Sequence, residues 1–338
     1  MQKCEICGST EKTLIATEMR EGPGKIYQCN ACGLVYQGLH LSTEDIESYY
    51  NEEYELTNSL KLGEKLSPKG HFEARMRSIA PFVELVNPYL KKDMSVLEVG
   101  CGAGELLCSI KPFVKKVTGL ELNKGYVNFI NKDLGVEAHA LDINDYHPKE
   151  KFDLIVSVNT IDHMPNPLQS LVKIKSLLSK QGFLYLMVPN RDEAMNCYLP
   201  EPTRSKFNKF FWHKAHFFYF TADSLTRILN KAGFACENIS TFHQYTLRNF
   251  LQWYYLGAPQ KSSDDARLNL KWFSGESAFE KGMNQLFEGM ESKFHQVINE
   301  SLRGDLLKCV ALQKENAGTG DRRTAQNSNM AINDTRRR

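Results

Sequence analysis

Short apolar runs alternate with amphipathic stretches through the middle of the chain. Four runs have the length and composition of buried strands: Val96–Val99, Val117–Leu120, Phe152–Val158 and Gly182–Pro189. This alternation predicts an α/β fold with a doubly wound, mainly parallel sheet, whose ligands bind at the carboxyl ends of the strands. A helix is expected over about residues 71–90, before the first strand, and a further strand over Phe234–Phe242.

The regular alternation stops after Phe242, and the final predicted strand, Asp305–Leu312, follows only about sixty residues later. The segment between them carries an apolar stripe with a period near 3.6, formed by Phe279, Met283, Leu286, Phe287, Met290, Phe294, Val297 and Ile298. We therefore predict a helical insertion over about residues 246–303 within a domain spanning 71–314. Three roles are open for this stripe: it covers the active site, it forms the interface of a homodimer, or it packs against the core of its own chain. Residues 315–338 are nearly devoid of apolar side chains and predict a disordered tail.

The first strand ends in a glycine-rich turn, Glu98-Val99-Gly100-Cys101-Gly102-Ala103-Gly104-Glu105. Glycines at alternate positions let the backbone approach a ligand where a Cβ would clash. A dinucleotide-binding turn would carry a glycine at position 105 and leave the helix start free for a pyrophosphate. Here Glu98 and Glu105 flank the turn. Two carboxylates disfavour a phosphate but suit the ammonium and sulfonium groups of S-adenosylmethionine.

A further acid, Glu121, follows the second strand, where a carboxylate can accept both hydroxyls of a ribose. With this acid, the glycine-rich turn resembles that of a class I S-adenosylmethionine-dependent methyltransferase. The resemblance implies a seven-stranded sheet that is closed by an antiparallel hairpin. It also implies a set of cofactor contacts: Glu98, Gly100, Gly102, Gly104, Glu121, Asp142, Ile143 and Asn159.

Four of the nine cysteines form two C-x2-C-G pairs: Cys4 with Cys7, and Cys29 with Cys32. Each such turn directs two thiolates to one point, and two turns complete a tetrahedral Zn²⁺ site with no open position. The spacing therefore predicts a structural zinc ribbon within residues 1–54. Residues 55–70 are rich in Lys, Ser and Gly and predict a linker.

The zinc module and the tyrosine-rich segment after it resemble the N-terminal zinc-binding domain of sugar C-methyltransferases and related enzymes of polysaccharide and deoxysugar biosynthesis. The resemblance covers about residues 1–245 and implies a sugar or nucleotide-linked sugar as the methyl acceptor. In that family the tyrosines border the active site, which makes Tyr49 and Tyr54 candidates for substrate contact; packing along one helix face is the alternative. Arg248 falls where those enzymes carry Ser-Leu-Arg, and it is a candidate for bidentate pairing with a substrate phosphate.

Methyl transfer is an in-line displacement at a sulfonium, so the protein must align the reactants and, where needed, remove a proton from the acceptor. Two histidines are candidates for the general base. His216 lies in an aromatic segment that resembles the E-H-x-x-Y-F segment of the sugar enzymes, and His163 follows the fourth strand. Ala215 replaces the glutamate of that segment, which removes a carboxylate that would orient the imidazole. We predict His216 ahead of His163, with a packed structural histidine as the alternative.

Composition and charge limit the classes of partner. The formal net charge of +2 gives no strong electrostatic reason to expect nucleic-acid binding. No apolar run approaches the roughly 18 residues that span a bilayer, and the first residues do not form a secretory signal. A cytoplasmic methyltransferase for a small molecule is therefore the leading hypothesis. An RNA methyltransferase with a zinc-ribbon reader and a non-catalytic, cofactor-binding interaction protein are the alternatives.

Overall fold

A small antiparallel sheet forms the N-terminal module in the computed structural model, which describes residues 3–38, 48–49 and 66–314. Its strands are β1 (Lys12–Met19), β2 (Gly22–Cys29) and β3 (Val35–Gln37), with β2 in the middle. Each cysteine-containing turn ends at a glycine in the left-handed region, Gly8 with φ 75° and Gly33 with φ 74°. Glycine adopts this conformation without strain, which explains its place directly after each cysteine pair.

A seven-stranded, mainly parallel sheet forms the centre of the larger domain. Its strands are β4 (Ser95–Val99), β5 (Lys116–Leu120), β6 (Glu137–His139), β7 (Phe152–Val158), β8 (Leu178–Pro189), β10 (Phe234–Phe242) and β11 (Leu306–Gln313). They lie in the order β10-β11-β8-β7-β4-β5-β6. β11 runs antiparallel to both of its neighbours, and the other neighbouring pairs are parallel. The predicted α/β class and the closing antiparallel strand are confirmed.

Eleven α-helices are present in the described part of the chain: α1 (Pro68–Met76), α2 (Ala80–Val86), α3 (Glu105–Ile110), α4 (Lys124–Lys132), α5 (Pro167–Leu177), α6 (Ala194–Tyr198), α7 (Thr203–Phe211), α8 (Ala222–Lys231), α9 (Leu247–Leu256), α10 (Ser263–Arg267) and α11 (Ala278–Glu300). Short 3₁₀ turns cover Asn87–Tyr89, Lys111–Phe113, Ile143–Asp145 and Ile161–His163. Of these described helices, none is long and apolar enough to cross a lipid bilayer.

The segment before β4 differs from its prediction. A single helix over residues 71–90 is wrong, because the chain breaks between α1 and α2 and ends in a 3₁₀ turn. Pro81 lies in the first turn of α2, where its missing N–H leaves no bond unmade, whereas it would disrupt a helix interior. α1 also begins inside the predicted linker, at Pro68, with Ser67 accepting a hydrogen bond from the Gly70 N–H.

Two apolar layers cover the faces of the central sheet. Alternate residues of β4 point to opposite faces, so that Leu97 packs in one layer and Val96 in the other. Leu97, Val96, Leu154 and Ile155 have no exposed surface. The strands are thus buried on both sides, as expected for parallel strands that are flanked by helices.

A helical insertion lies between β10 and β11, and it consists of α9, α10 and α11. Its apolar stripe does not form one uniform contact. Phe287 stacks on Trp272 with ring centroids 4.3 Å apart, and Phe294 lies 5.5 Å from the ring of His243. By contrast, the outward residues of α11 remain exposed: Phe279 (68%), Leu286 (55%), Met290 (44%) and Val297 (50%).

The N-terminal sheet continues into the larger domain. β3 pairs with a two-residue strand, β9 (Phe218–Tyr219), so that the ribbon becomes a four-stranded sheet. Beside this pairing, the buried side-chain amide of Gln37 donates to the carbonyls of His213 and His216, at 2.9 and 3.2 Å. The predicted zinc module therefore helps to shape the turn that carries His216.

Removing the Gln37 amide should destabilise the joined sheets. Gln37→Ala removes the side-chain donor to the His216 carbonyl and one of several donors to the His213 carbonyl, at an expected cost of about 1 to 3 kcal/mol in the free energy of unfolding. Urea denaturation of the wild type and the variant measures this difference. The exposed Gln181 gives a matched control, because Gln181→Ala removes no buried hydrogen bond in the described structure. Equal stabilities for the two variants would contradict the bracing role of Gln37.

Candidate active site

The glycine-rich turn connects β4 to α3 at the carboxyl edge of the sheet. The N–H groups of Gly100 and Cys101 both donate to the Leu120 carbonyl, at 2.8 and 3.0 Å, which holds the turn against the end of β5. Gly100 has a φ of 75°, and a Cβ at this position would come within 2.3 Å of Thr160 Oγ1. Both the backbone conformation and the close approach therefore require glycine here.

Glu121 and Glu98 converge beside this turn. Glu121 accepts hydrogen bonds from the N–H groups of Gly102 and Asn123, both at 3.0 Å, which orients its carboxylate toward the cavity. Glu98 is only 5% exposed, and its Oε2 accepts no hydrogen bond from a described residue. Burial, and then the charges of Glu105 and Glu121, raise the pKa of Glu98 well above its usual value. This edge of the sheet therefore favours a ligand that carries positive charge.

Three further predicted cofactor residues lie at the ends of the next strands. Asp142 caps the 3₁₀ turn after β6 by accepting a bond from the Asn144 N–H, and Ile143 is buried beside it. Asn159, directly after β7, has a φ of 51° and donates its N–H to the Met187 carbonyl. All three line a cavity of about 860 Å³ together with Glu98, Gly100, Gly102 and Glu121.

Gly104 faces a neighbouring helix, unlike the other two predicted glycines. It precedes α3 with a φ of 93°, and a Cβ added to it would lie 3.0 Å from Ile130 Cγ1 of α4. The structure therefore places Gly104 at a close contact between two helices, while Gly100 and Gly102 line the cavity.

Both predicted catalytic histidines lie on the cavity wall, next to each other. The rings of His163 and His216 are 4.7 Å apart, and that of His213 is 3.6 Å from His216. Burial lowers the pKa of His163 to about 4. Burial, followed by the charges of His213 and His163, also lowers the pKa of His216 well below its ordinary value. These imidazoles are therefore neutral at physiological pH.

Asp162 completes this cluster, and the sequence analysis did not single it out. Its Oδ2 lies 3.3 Å from His216 Nε2 and 3.4 Å from His163 Nε2. The side chain is fully buried, which raises the pKa of Asp162 to about 8. Ala215 stands where the sugar enzymes have a glutamate next to their histidine. In the folded chain, Asp162 supplies a carboxylate beside His216. The Asp162-His163 pair was visible in the sequence, but its approach to His216 depends on the fold.

The outer part of the cavity is formed by three distant segments of the chain. Arg20 comes from the turn between β1 and β2, donates from Nε to the Phe210 carbonyl and lies 4.0 Å from the Phe210 ring. The insertion contributes Arg267, whose guanidinium lies 5.5 Å from the Tyr245 ring. Aromatic side chains of α7 and α9 complete this region: Phe207, Phe210, Phe211 and Trp253. The aromatic residues of α7 already form a local basic-aromatic cluster in the sequence, whereas Arg20, Trp253 and Arg267 join them only in the folded chain.

The three predicted substrate-binding residues have different outcomes. Tyr49 is buried, with its ring 5.0 Å from Lys214 Nζ, near the turn that carries His216. Tyr54 lies outside the described residues. Arg248 is not brought to the cavity: its Nη2 donates to the carbonyls of Leu270 and Lys271, and its guanidinium lies 4.3 Å from the Trp272 ring. These contacts turn Arg248 toward the loop that follows α10.

The four predicted zinc ligands converge at the end of the ribbon. Cys4 Sγ lies 3.4 Å from Cys32 Sγ, and Cys7 Sγ lies 3.5 Å from Cys29 Sγ. All four sulfur atoms lie within 4.8 Å of one another. A tetrahedral ion with Zn–S bonds of about 2.3 Å requires sulfur–sulfur distances of about 3.8 Å, so the cluster is compatible with zinc.

A family model described as "Methyltransferase domain" matches residues 71–239. The chain is 26% identical over 169 residues to a ubiquinone biosynthesis O-methyltransferase of Dinoroseobacter shibae, covering 44% of this chain and 63% of that protein. It is 29% identical over 175 residues to a tRNA U34 carboxymethyltransferase of Actinobacillus pleuropneumoniae, covering 48% and 52%. The matches thus span about half to two thirds of these relatives' lengths.

A solved structure of an S-adenosylmethionine-dependent methyltransferase from Archaeoglobus fulgidus is also similar. It superposes with a TM-score of 0.43 at 16% identity, over 72% of this chain and 95% of that chain. The family match covers half of the 338 residues and includes the glycine-rich turn, the acids at the strand ends and the histidine cluster. The chain therefore belongs to the methyltransferase domain family.

Proposed function

We propose that this protein transfers the methyl group of S-adenosylmethionine to a small-molecule acceptor. The observation that carries the proposal is a single cavity with two chemically distinct walls. One wall has the glycine-rich turn and the carboxylates of Glu98 and Glu121, and the other has His163 and His216. The acidic wall suits a cationic cofactor, and the histidine wall suits an acceptor that must lose a proton.

The residues at the strand ends fit the chemical groups of this cofactor. Glu121 has both oxygens fixed by backbone N–H groups and keeps lone pairs for the two ribose hydroxyls. Gly100 and Gly102 leave room for the close approach of the ligand, while Asp142 and Ile143 border the adenine position. The unpartnered Oε2 of Glu98 provides an acceptor near the cationic end, and a bound cation would favour the ionised form of this carboxyl group. When bound, the cofactor supplies an electrophilic methyl group on a sulfonium.

We assign activation of the acceptor to the histidine cluster, and within it to His216 in preference to His163. His216 contacts the Asp162 carboxylate and lines the cavity, and its turn is braced by Gln37. A fixed ring orientation is what a group needs in order to act on one atom of a bound acceptor.

A sugar or nucleotide-linked sugar is our proposed acceptor class. Aromatic rings of α7 and α9 give flat apolar surfaces for a sugar ring, and Arg20 and Arg267 give positive charge for a linked phosphate. One named relative acts on tRNA, which makes RNA the second candidate. Labelled methyl groups should pass to nucleotide-linked sugars and not to unmodified tRNA; transfer to tRNA alone would replace the proposed acceptor.

The ribbon is proposed to hold one structural Zn²⁺ ion through Cys4, Cys7, Cys29 and Cys32. A four-thiolate site has no open coordination position, so its contribution is to fold the module. Because β3 pairs with β9, the ion also supports the wall of the cavity that carries His216.

Replacing Glu121 should weaken cofactor binding. Glu121→Ala removes the charge-assisted bonds to the ribose, at an expected cost of about 2 to 4 kcal/mol. Calorimetric titration with S-adenosylmethionine measures the change, and Glu150→Ala, an exposed acid outside the cavity, is the control. Unchanged affinity in Glu121→Ala, or tighter binding of NAD than of S-adenosylmethionine by the wild type, would refute the cofactor assignment.

Replacing His216 should slow methyl transfer without removing the cofactor. His216→Asn is expected to lower the rate on the true acceptor by roughly 10² to 10⁴, with S-adenosylmethionine affinity nearly unchanged. His147→Asn, at an exposed position, controls for loss of any histidine. Near wild-type turnover in His216→Asn, or reduced stability in place of reduced rate, would favour a packed structural histidine.

Loss of one ribbon cysteine should remove one zinc ion per chain. Elemental analysis of Cys29→Ser is expected to show one zinc fewer than the wild type, because three thiolates no longer close the site. Cys197→Ser, which changes a cysteine outside the cluster, should keep the wild-type zinc content. Proteolysis should also become faster within about the first fifty residues. Identical zinc contents in both variants would exclude the proposed site.

A further inference from the structure

The atoms of the histidine cluster converge in a way that hydrogen bonding does not explain. Asp162 Oδ2 lies 3.3 and 3.4 Å from the two Nε2 atoms of His216 and His163, yet neither Asp162 oxygen has a hydrogen bond of acceptable geometry within the described chain. The three side chains can each place one ligand atom within 4.8 Å of the others. The atoms are therefore close together without being directed at one another.

This geometry matches the ligand shell of a metal ion. Nitrogen and carboxylate ligands lie about 2.0 to 2.2 Å from a divalent transition metal. Two ligands of one ion are then separated by about 3.0 Å in octahedral and about 3.4 Å in tetrahedral coordination. The observed separations of 3.3 and 3.4 Å agree with these values.

The complete burial of Asp162 strengthens the expectation of a cation. Asp162 has no exposed surface, and both of its oxygens lack donors in the described structure. A buried carboxylate without donors is unfavourable unless a proton or a cation lies against it. Two imidazoles whose Nε2 atoms approach the same oxygen supply the remaining ligands for such a cation.

We propose that Asp162, His163 and His216 bind one divalent transition-metal ion. Two imidazoles and one carboxylate suit Zn²⁺, Mn²⁺, Fe²⁺ or Co²⁺ better than the harder Ca²⁺. Asp162 lies beneath the cavity wall, whereas His163 and His216 line it, so the remaining coordination positions face the cavity. Three protein ligands with an open position are typical of catalytic metal sites, in contrast to the four thiolates of the ribbon.

The surroundings of the cluster hold two of the ligands in place. Gln37 donates to the His216 carbonyl, and the Phe217 N–H donates to the Asp162 carbonyl at 2.9 Å. The Phe217 bond connects the two loops that supply the ligands, and the Gln37 bond ties the His216 turn to β3. These backbone bonds fix the positions of the loops that carry the ligands.

The consequence for catalysis rests on the proposed function. An ion held by Asp162, His163 and His216 would lower the pKa of an acceptor hydroxyl, as it does for metal-bound water, and the hydroxyl proton would pass to solvent. The acceptor oxygen would then be ready to bond to the methyl carbon as the carbon–sulfur bond of the cofactor breaks. The site therefore selects an oxygen acceptor.

Mn²⁺ is a suitable probe, because it prefers nitrogen and oxygen ligands and leaves a zinc-loaded thiolate ribbon intact. Titration of full-length, zinc-loaded protein, followed by the loss of the free-Mn²⁺ electron paramagnetic resonance signal, should show one bound Mn²⁺ per chain. Asp162→Asn and His216→Gln should each weaken binding at least tenfold. His213→Gln, in the same turn but outside the ligand set, should retain Mn²⁺ binding within a few-fold of the wild type.

Two outcomes would overturn the site. One is that wild-type protein without a second metal fails to bind Mn²⁺, and the other is that wild type and Asp162→Asn bind Mn²⁺ with equal affinity. By contrast, a second tightly held metal ion that is present in purified wild type and missing from Asp162→Asn would support the site. Circular dichroism and S-adenosylmethionine affinity show whether each variant is folded. If Asp162→Asn fails to fold, His216→Gln compared with His213→Gln decides the question.

The metal site and the proposed function fail in different ways. Mn²⁺ binding that is lost in Asp162→Asn, without methyl transfer to any acceptor, would support the metal site and contradict the proposed function. Methyl transfer at the same rate before and after Mn²⁺ loading of the site would support the proposed function and overturn the catalytic role of the ion.

Discussion

The pairing of β3 with Phe218–Tyr219 is the interaction on which the candidate site depends most. It joins the cysteine-rich module to the methyltransferase domain, and it sets the position of the turn that ends at His216. Gln37 and the Phe217 N–H extend this pairing to both sides of the cluster. Because β3 directly follows the second cysteine pair, folding of the ribbon and assembly of the histidine cluster are physically coupled.

Charged groups of both signs line the cavity. Carboxylates gather at the carboxyl ends of β4 and β5, and Arg20 and Arg267 come from the ribbon and the insertion, while Arg75, Lys124, Glu193 and Asp305 line it as well. The parallel sheet therefore provides the acidic edge, and additions to the sheet provide Arg20 and Arg267.

Local patterns were sufficient to predict which residues at the sheet edge line the cavity. Gly100 and Gly102, together with Glu98, Glu121, Asp142, Ile143 and Asn159, all follow or end parallel strands, and the carboxyl ends of such strands meet at one edge. The same reasoning placed Gly104 in this set, yet it lies against Ile130 of α4. Arg248 was assigned by its neighbours in sequence, and its contacts with the loop after α10 could not be read from them.

The sequence by itself determined the α/β class, the convergence of four cysteines and the acidic, glycine-rich edge of the sheet, because each depends on short-range spacing or on strand periodicity. Only the tertiary structure decided which carboxylate accompanies His216. Asp162 and His216 are separated by 54 positions in sequence, and they meet because two loops and a strand from the ribbon pack together. Contacts of that kind arise from the packing of whole elements, and no local spacing encodes them.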